Sequence, residues 1–150
     1  MCTAITYLTQ DFYFGRNLDL EYAYNEVITV TPRNFPFQFH NGTRLNSHYA
    51  MIGMSTVSDG YPLYYEATNE KGLSIAALSF PDNAVYYPEK SGKTNIAPFE
   101  LIPWLLSQCA TVDEALTAID EMNLWNLPFS LAFPLSPLHW LQLIRQKLLR

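Results

Sequence analysis

The first nineteen residues, MCTAITYLTQDFYFGRNLD (residues 1–19), carry the strongest signals for the fold and for a catalytic site. Two runs of β-branched and aromatic residues, Thr3–Leu8 and Phe12–Arg16, flank a polar turn signal at residues 9–11, and this pattern predicts an antiparallel hairpin. Cys2 directly follows the initiator methionine. Once that methionine is removed, Cys2 carries both a thiol and a free α-amine, and the amine can take the thiol proton as a general base. The stretch therefore predicts a hairpin with a candidate nucleophile at its start.

Two charged residues on the returning strand are candidates to support this thiol. A hairpin centred near residues 9–10 brings Arg16 back towards the start of the chain, where a cation would lower a thiol pKa. Asp19 is a candidate acceptor for the α-amine. Residues 16 and 19 point to opposite faces of a regular strand, so both serve one site only if the chain bends between them. From these residues alone, the favoured interpretation is a surface ion pair between Arg16 and Asp19.

Composition narrows the class of protein. The 150 residues are 49% hydrophobic and 15% charged, which indicates one folded domain with a sizeable core. The net charge of −5 argues against nucleic acid as a partner. No apolar run approaches the roughly 20 residues that span a bilayer, and no export signal is visible, so we expect a cytoplasmic protein. Two cysteines without a CxxC or His/Cys pattern predict no metal, and Cys109 is expected to be a buried structural thiol.

The order of the predicted elements indicates an α+β fold. Strands fill most of the first 80 residues, whereas the second half is helical, with Pro98 in a first helical turn and Thr111 as the N-cap of a second helix. Two helices cover too little of six strands, so apolar faces in "MIGMSTV" and "LSIAALSF" are expected to lack cover. The predicted strands are Thr3–Leu8, Phe12–Arg16, Val27–Thr31, Tyr49–Val57, Pro62–Ala67 and Leu73–Phe80.

Six collinear segments carry a resemblance to a known family. "MCTAITY", "YFGRNLD", "VTPRNFPF", "YPLYYEATNEKGL", "NIAPFELIPWLL" and "PLSPLHWL" resemble the choloylglycine hydrolase family, which contains the conjugated bile acid hydrolases and the penicillin V acylases. The resemblance runs from residue 1 to about Leu141. Its opening is more similar to the bile salt enzymes of gut bacteria than to the acylases.

The resemblance implies a fold and a chemistry. The expected fold is the N-terminal half of a four-layer α-β-β-α N-terminal nucleophile hydrolase with antiparallel sheets. The expected reaction is hydrolysis of the amide that joins a bile acid to glycine or taurine, with Cys2 as nucleophile. Arg16 and Asp19 match the family's active-site arginine and aspartate, which reverses the preference for a surface ion pair. The resemblance implies no cofactor and no metal, a small-molecule substrate, and assembly into a homo-oligomer.

Two departures from the family pattern matter. Ser79 stands where the bile salt enzymes carry an asparagine that helps to form the oxyanion hole, and losing one such donor costs about 10²–10³ in rate. Family members are also roughly twice as long, and a further active-site asparagine and arginine lie in the half that is missing here. The domain is therefore expected to occupy residues 1–141. Three alternatives follow: a penicillin V acylase, another N-acyl amidase, or a non-catalytic truncated product.

The last nine residues depart from the family as well. Residues 142–150 can be encoded so that a shifted reading frame gives the family-like continuation Ala-Asp-Lys, and the favoured interpretation is a frameshifted, non-native tail. The competing interpretation is an amphipathic helix with Leu141, Ile144 and Leu148 on its apolar face.

Overall fold

The computed structural model of the chain describes residues 2–19 and 22–144, and these contain eleven strands and two α-helices. The strands, in chain order, are β1 (Thr3–Leu8), β2 (Phe12–Asn17), β3 (Val27–Thr31), β4 (Phe37–Gln38), β5 (Arg44–Leu45), β6 (Met51–Ser58), β7 (Tyr61–Asn69), β8 (Leu73–Ser79), β9 (Thr94–Ile96), β10 (Met122–Leu124) and β11 (Leu138–Ile144). The helices are a 3₁₀ turn (Pro98–Glu100) followed by α1 (Leu101–Gln108) and α2 (Val112–Glu121).

The predicted hairpin at the start of the chain is confirmed. Strands β1 and β2 pair antiparallel, with Ala4 opposite Arg16 and Thr3 opposite Asn17. The strand ends at Asn17, so the chain has left the regular strand before it reaches Asp19. The strict alternation of faces that would separate residues 16 and 19 therefore does not extend to Asp19.

The core lies between a five-stranded sheet and helix α1. The sheet is antiparallel throughout, in the order β11-β8-β7-β6-β3. Helix α1 packs on β7 and β8, and its apolar residues join the buried side chains of both strands in one cluster. The expected α+β fold with antiparallel sheets is confirmed, and the short pair β9–β10 is parallel.

The expectation of uncovered apolar strands holds for one segment and is wrong for the other. In β6 the side chains of Ile52 and Val57 are exposed. In β8 every residue from Leu73 to Leu78 is buried, because β8 lies inside the sheet between β7 and β11 and α1 covers it. Strand β8 is therefore shielded from solvent, although β6 in the same sheet has exposed apolar side chains.

The helix boundaries follow their local signals. Pro98 opens the 3₁₀ turn, and Pro103 falls in the first turn of α1, where the missing N–H costs no helical hydrogen bond. Thr111 caps α2, since its side-chain oxygen accepts a hydrogen bond from the backbone N–H of Glu114 at 3.2 Å. The N-cap predicted from the sequence is confirmed.

The segment after residue 137 is a strand that the sequence did not predict. Strand β11 pairs antiparallel with β8, from Leu138 opposite Ser79 to Ile144 opposite Leu73. The amphipathic helix is therefore wrong for residues 141–144. Residues 145–150 of the proposed tail lie outside the described residues, and the frameshift itself stays a prediction.

Candidate active site

One cavity of about 610 Å³ gathers all four residues that the sequence singled out. Cys2, Arg16, Asp19 and Ser79 all line it. Cys2 directly precedes β1, Arg16 lies on β2 and Asp19 follows β2. Ser79 is the last residue of β8. A hairpin docked on the sheet thus brings residues from distant parts of the sequence to one surface.

Asn17 links the backbone beside Cys2 to the carboxylate of Asp19. The side-chain oxygen of Asn17 accepts a hydrogen bond from the backbone N–H of Thr3 at 2.5 Å. Its amide nitrogen donates to Oδ2 of Asp19 at 2.9 Å. Sequence reasoning missed Asn17, although its place directly after Arg16, on the strand opposite the candidate nucleophile, was a signal.

Arg16 is a buried cation. Its side chain is 4% exposed, its Nη2 donates to the carbonyl oxygen of Ala77 at 2.6 Å, and its Nη1 lies 3.4 Å from Oε2 of Glu66. The expectation of a pair on the surface is therefore wrong for Arg16, because the guanidinium lies inside the protein and faces the carboxylate of Glu66. Sequence reasoning missed Glu66, whose only signal was a carboxylate within the aromatic and apolar strand β7.

The local sheet geometry explains how Arg16 reaches its two partners. The β6–β7 ladder is interrupted between Met54 and Ser55, which pair with Glu66 and Tyr64 and leave Tyr65 as an extra residue on β7. The β7–β8 ladder begins at Glu66 opposite Ala76. The guanidinium binds the carbonyl of Ala77, the next residue along β8.

Burial and charge act in opposite directions on the carboxyl of Glu66. Burial raises its pKa above the ordinary value, while the Arg16 charge and a hydrogen bond from the backbone of Met54 limit the rise. Removing the guanidinium would therefore take away the positive charge that favours the ionised form of this buried carboxyl group.

Most of the other residues that line the cavity are aromatic or apolar. Phe99 and Phe129 meet edge to face with ring centroids 5.2 Å apart, and Phe129 meets Phe133 at 6.1 Å. Such a wall suits a ligand with a large apolar body. Further lining residues are Leu18, Tyr22, Tyr24, Leu63, Tyr65, Leu127, Ala132, Leu135, Leu138 and Trp140.

The three histidines lie away from this cavity. His48 is buried, with its ring nitrogens 2.8 Å and 2.9 Å from the carbonyl oxygens of Tyr49 and Phe35. His40 contacts Glu100, and the His139 ring packs on Phe80. None of these three histidines lines the cavity that holds Cys2.

Within residues 2–19 and 22–144, no cluster of three or more histidine, cysteine, aspartate or glutamate side chains has the geometry of a metal site. Over the same residues, no helix is long and apolar enough to cross a membrane.

The antiparallel sheet and the hairpin that carries Arg16 to the cavity agree with the expected fold class, that of the N-terminal nucleophile hydrolases. The model of the linear amide C-N hydrolases, choloylglycine hydrolase family, matches residues 2–145. The chain belongs to the choloylglycine hydrolase family. The resemblance that its motifs carried is confirmed.

Similar proteins agree with this assignment. The chain is 52% identical, over 147 residues, to the bile salt hydrolase/transferase of Lactiplantibacillus plantarum, and the match covers 98% of this chain and 45% of that protein. It is 39% identical to the bile salt hydrolase/transferase of Clostridium perfringens, covering 94% of this chain and 44% of that one. The chain thus spans about half the length of these relatives.

Solved structures show the same fold. The C2A mutant of the conjugated bile acid hydrolase from Clostridium perfringens superposes with a TM-score of 0.87 at 37% identity, over 96% of this chain and 45% of that one. The penicillin V acylase from Agrobacterium tumefaciens superposes with a TM-score of 0.69 at 19% identity, over 95% of this chain and 43% of that one. At that identity the second likeness concerns the fold alone.

Proposed function

We propose that this chain is the amino-terminal part of an enzyme that hydrolyses the amide of glycine- or taurine-conjugated bile acids. The observation that carries the proposal is the convergence of Cys2, Arg16, Asp19 and Ser79 on one cavity with an aromatic wall. Membership of a family of linear amide C-N hydrolases supports the reaction type. The names of the relatives support the substrate class.

The proposed nucleophile is the thiol of Cys2 after loss of the initiator methionine. The α-amine takes the thiol proton, and the sulfur attacks the amide carbon to form a tetrahedral oxyanion. Collapse of this intermediate breaks the C–N bond, and the proton passes from the α-amine to the departing glycine or taurine. The bile acid is then held as a thioester. Water attacks the thioester carbon, transfers one proton through the amine to the leaving sulfur, and releases the bile acid.

The other three residues have separate proposed roles. The positive charge of Arg16 favours the thiolate, and Asp19 orients the α-amine. Ser79 offers a hydroxyl to the oxyanion where the bile salt enzymes offer an amide. A hydroxyl is shorter than an amide side chain, so we expect weaker stabilisation of the oxyanion and a lower kcat.

The test uses a chimera in which residues 1–144 of this chain continue into the carboxyl-terminal part of the Lactiplantibacillus plantarum relative. Glycocholate, taurocholate and penicillin V are supplied separately, and the released amino acid or acyl product is measured. We expect hydrolysis of at least one bile salt conjugate and none by the Cys2→Ala variant. Preferential cleavage of penicillin V would support the acylase alternative, and full activity of Cys2→Ala would refute the nucleophile.

Asp19 is tested in the same chimera. Asp19→Asn keeps the size of the side chain and removes its charge, so we expect a lower kcat with a thermal midpoint close to that of the parent chimera. A loss of thermal stability with unchanged turnover would make Asp19 a structural residue.

The 150-residue chain by itself is proposed to be inactive towards these substrates. It spans 45% of the length of the Lactiplantibacillus plantarum relative, and exposed apolar side chains such as Ile28, Val30 and Ile52 indicate surface that needs cover. Measurable hydrolysis by the isolated chain would refute this. Cytoplasmic location and assembly into a homo-oligomer also stay predictions, which cell fractionation and size-exclusion chromatography of the full-length protein test.

A further inference from the structure

The guanidinium of Arg16, which lines the cavity, forms an ion pair with the carboxylate of Glu66. Arg16 lines the cavity together with Cys2, whereas Glu66 does not line it. The two side chains are 4% and 20% exposed, and Nη1 and Oε2 are 3.4 Å apart. Glu66 therefore reaches the cavity only through Arg16.

This pair leaves hydrogen-bonding groups unmatched. Among the described residues, Nε and Nη1 of Arg16 and Oε2 of Glu66 are buried without a hydrogen-bond partner. Desolvation of two charges offsets most of their attraction, so a buried pair of this kind contributes little net stability compared with apolar residues of the same size. Stabilisation of the fold alone is thus a weak explanation for its presence.

The pair does restrict where the guanidinium can lie. Nη2 is held by the carbonyl oxygen of Ala77 on β8, and Nη1 faces Glu66 on β7. A planar guanidinium with one hydrogen bond to β8 and a facing carboxylate on β7 has less freedom to rotate than one in water. The register shift in the β6–β7 ladder lies directly beside this pair, since Tyr65 is the extra residue on β7 and Glu66 follows it.

We infer that Glu66 is a positioning residue, which fixes the guanidinium of Arg16 at the cavity wall beside Cys2 without touching the substrate. The carboxylate supplies the negative charge that keeps the buried guanidinium in place. The hydrogen bond from Nη2 to the Ala77 carbonyl oxygen orients the guanidinium plane. Without that charge the guanidinium can leave its buried position and turn towards water. The inference rests on the proposed function, because the group that it positions is the one proposed to support the thiol.

The chimera allows a test with a matched control. Glu66→Gln keeps the shape of the side chain and removes its charge. Glu70→Gln is the control, because Glu70 lies in the turn directly after β7 and pairs with Arg33, an exposed side chain that does not line the cavity. We expect Glu66→Gln to lower kcat about 10- to 100-fold, since small displacements of supporting groups are costly. We expect Glu70→Gln to stay within about twofold of the parent, because exposed pairs contribute little.

Two further variants separate positioning from folding. Glu66→Asp keeps the charge and should recover part of kcat. In an Arg16→Lys background the planar guanidinium that faces Glu66 is absent, so Glu66→Gln should change kcat by less than about threefold there. Thermal midpoints are recorded for every variant. Equal activity of Glu66→Gln and Glu70→Gln, or losses that multiply in the Arg16→Lys background, would overturn the inference.

A readout without substrate keeps the inference and the proposed function distinguishable. The rate of Cys2 alkylation by iodoacetamide, measured by mass spectrometry at one fixed pH, reports the environment of the thiol directly. We expect Glu66→Gln to change this rate and Glu70→Gln to leave it unchanged. A parent chimera that cleaves no bile salt conjugate refutes the proposed function. Equal alkylation rates in the two variants refute the role of Glu66, whatever the substrate proves to be.

Discussion

Replacing Gly53 by alanine should disturb the sheet at the point that holds Glu66. Gly53 lies on β6 opposite Ala67 on β7. A Cβ at residue 53 would lie 1.9 Å from the carbonyl oxygen of Glu66, 2.6 Å from Cα of Ala67 and 2.8 Å from its Cβ. Two of these atoms belong to the backbone and the third is a Cβ, so no side-chain rotation can relieve the overlap. The two strands must separate.

The magnitude follows from the size of this overlap. Forcing one methyl group into a packed region costs typically about 1–3 kcal/mol, and more where the backbone has to move. Because the conflict is with the backbone, we expect Gly53→Ala to lower the free energy of unfolding by about 3 kcal/mol or more, against a total of roughly 5–15 kcal/mol for a typical domain. The displaced carbonyl is that of Glu66, so kcat should fall as well.

Urea unfolding of the chimera, followed by tryptophan fluorescence, measures the effect. Gly15→Ala is the control, since Gly15 also lies in a strand but a Cβ there would meet only Cγ2 of Ile5, at 4.0 Å. We expect the control to stay within about 0.5 kcal/mol of the parent. If Gly53→Ala and Gly15→Ala unfold at the same urea concentration, the close approach of β6 and β7 at residue 53 is wrong.

Three other predictions use the same protein. Ser79→Asn should raise kcat by up to about 10² with little change in KM, because an oxyanion donor acts in the transition state; equal kcat values for the two residues would show that another group already fills that role. Iodoacetamide should label Cys2 before Cys109, since burial raises the pKa of the Cys109 thiol to about 11; equal labelling by mass spectrometry would contradict this. The carboxyl pKa of Glu70 is lowered to about 2, chiefly by its hydrogen bonds from Arg33, so its stabilising contribution should be present above its ordinary pKa and disappear as the pH falls through about 2. Thermal midpoints of the parent and Glu70→Gln should therefore converge in acid, and a constant difference down to pH 2 would argue against the pair.

Local sequence signals predicted most of the secondary structure. The β1–β2 hairpin needed only two β-branched and aromatic runs around a polar turn, and the α2 N-cap needed only Thr111 before an amphipathic run. Strand β11 was missed because the apolar residues of "LHWLQLI" fit both the spacing of a helix and the alternation of a strand. Its partner β8 decides the outcome, since pairing with an interior strand satisfies the backbone groups of residues 138–144.

The sequence by itself determined the family, the hairpin and the candidate residues Cys2, Arg16, Asp19 and Ser79. These follow from short motifs whose residues are close together in the chain. Only the tertiary structure decided that the four line one cavity and that the buried guanidinium of Arg16 lies 3.4 Å from the carboxylate of Glu66. The physical reason is that contacts between residues far apart in sequence depend on how the hairpin docks on the sheet, and docking leaves no local pattern that the sequence alone could reveal.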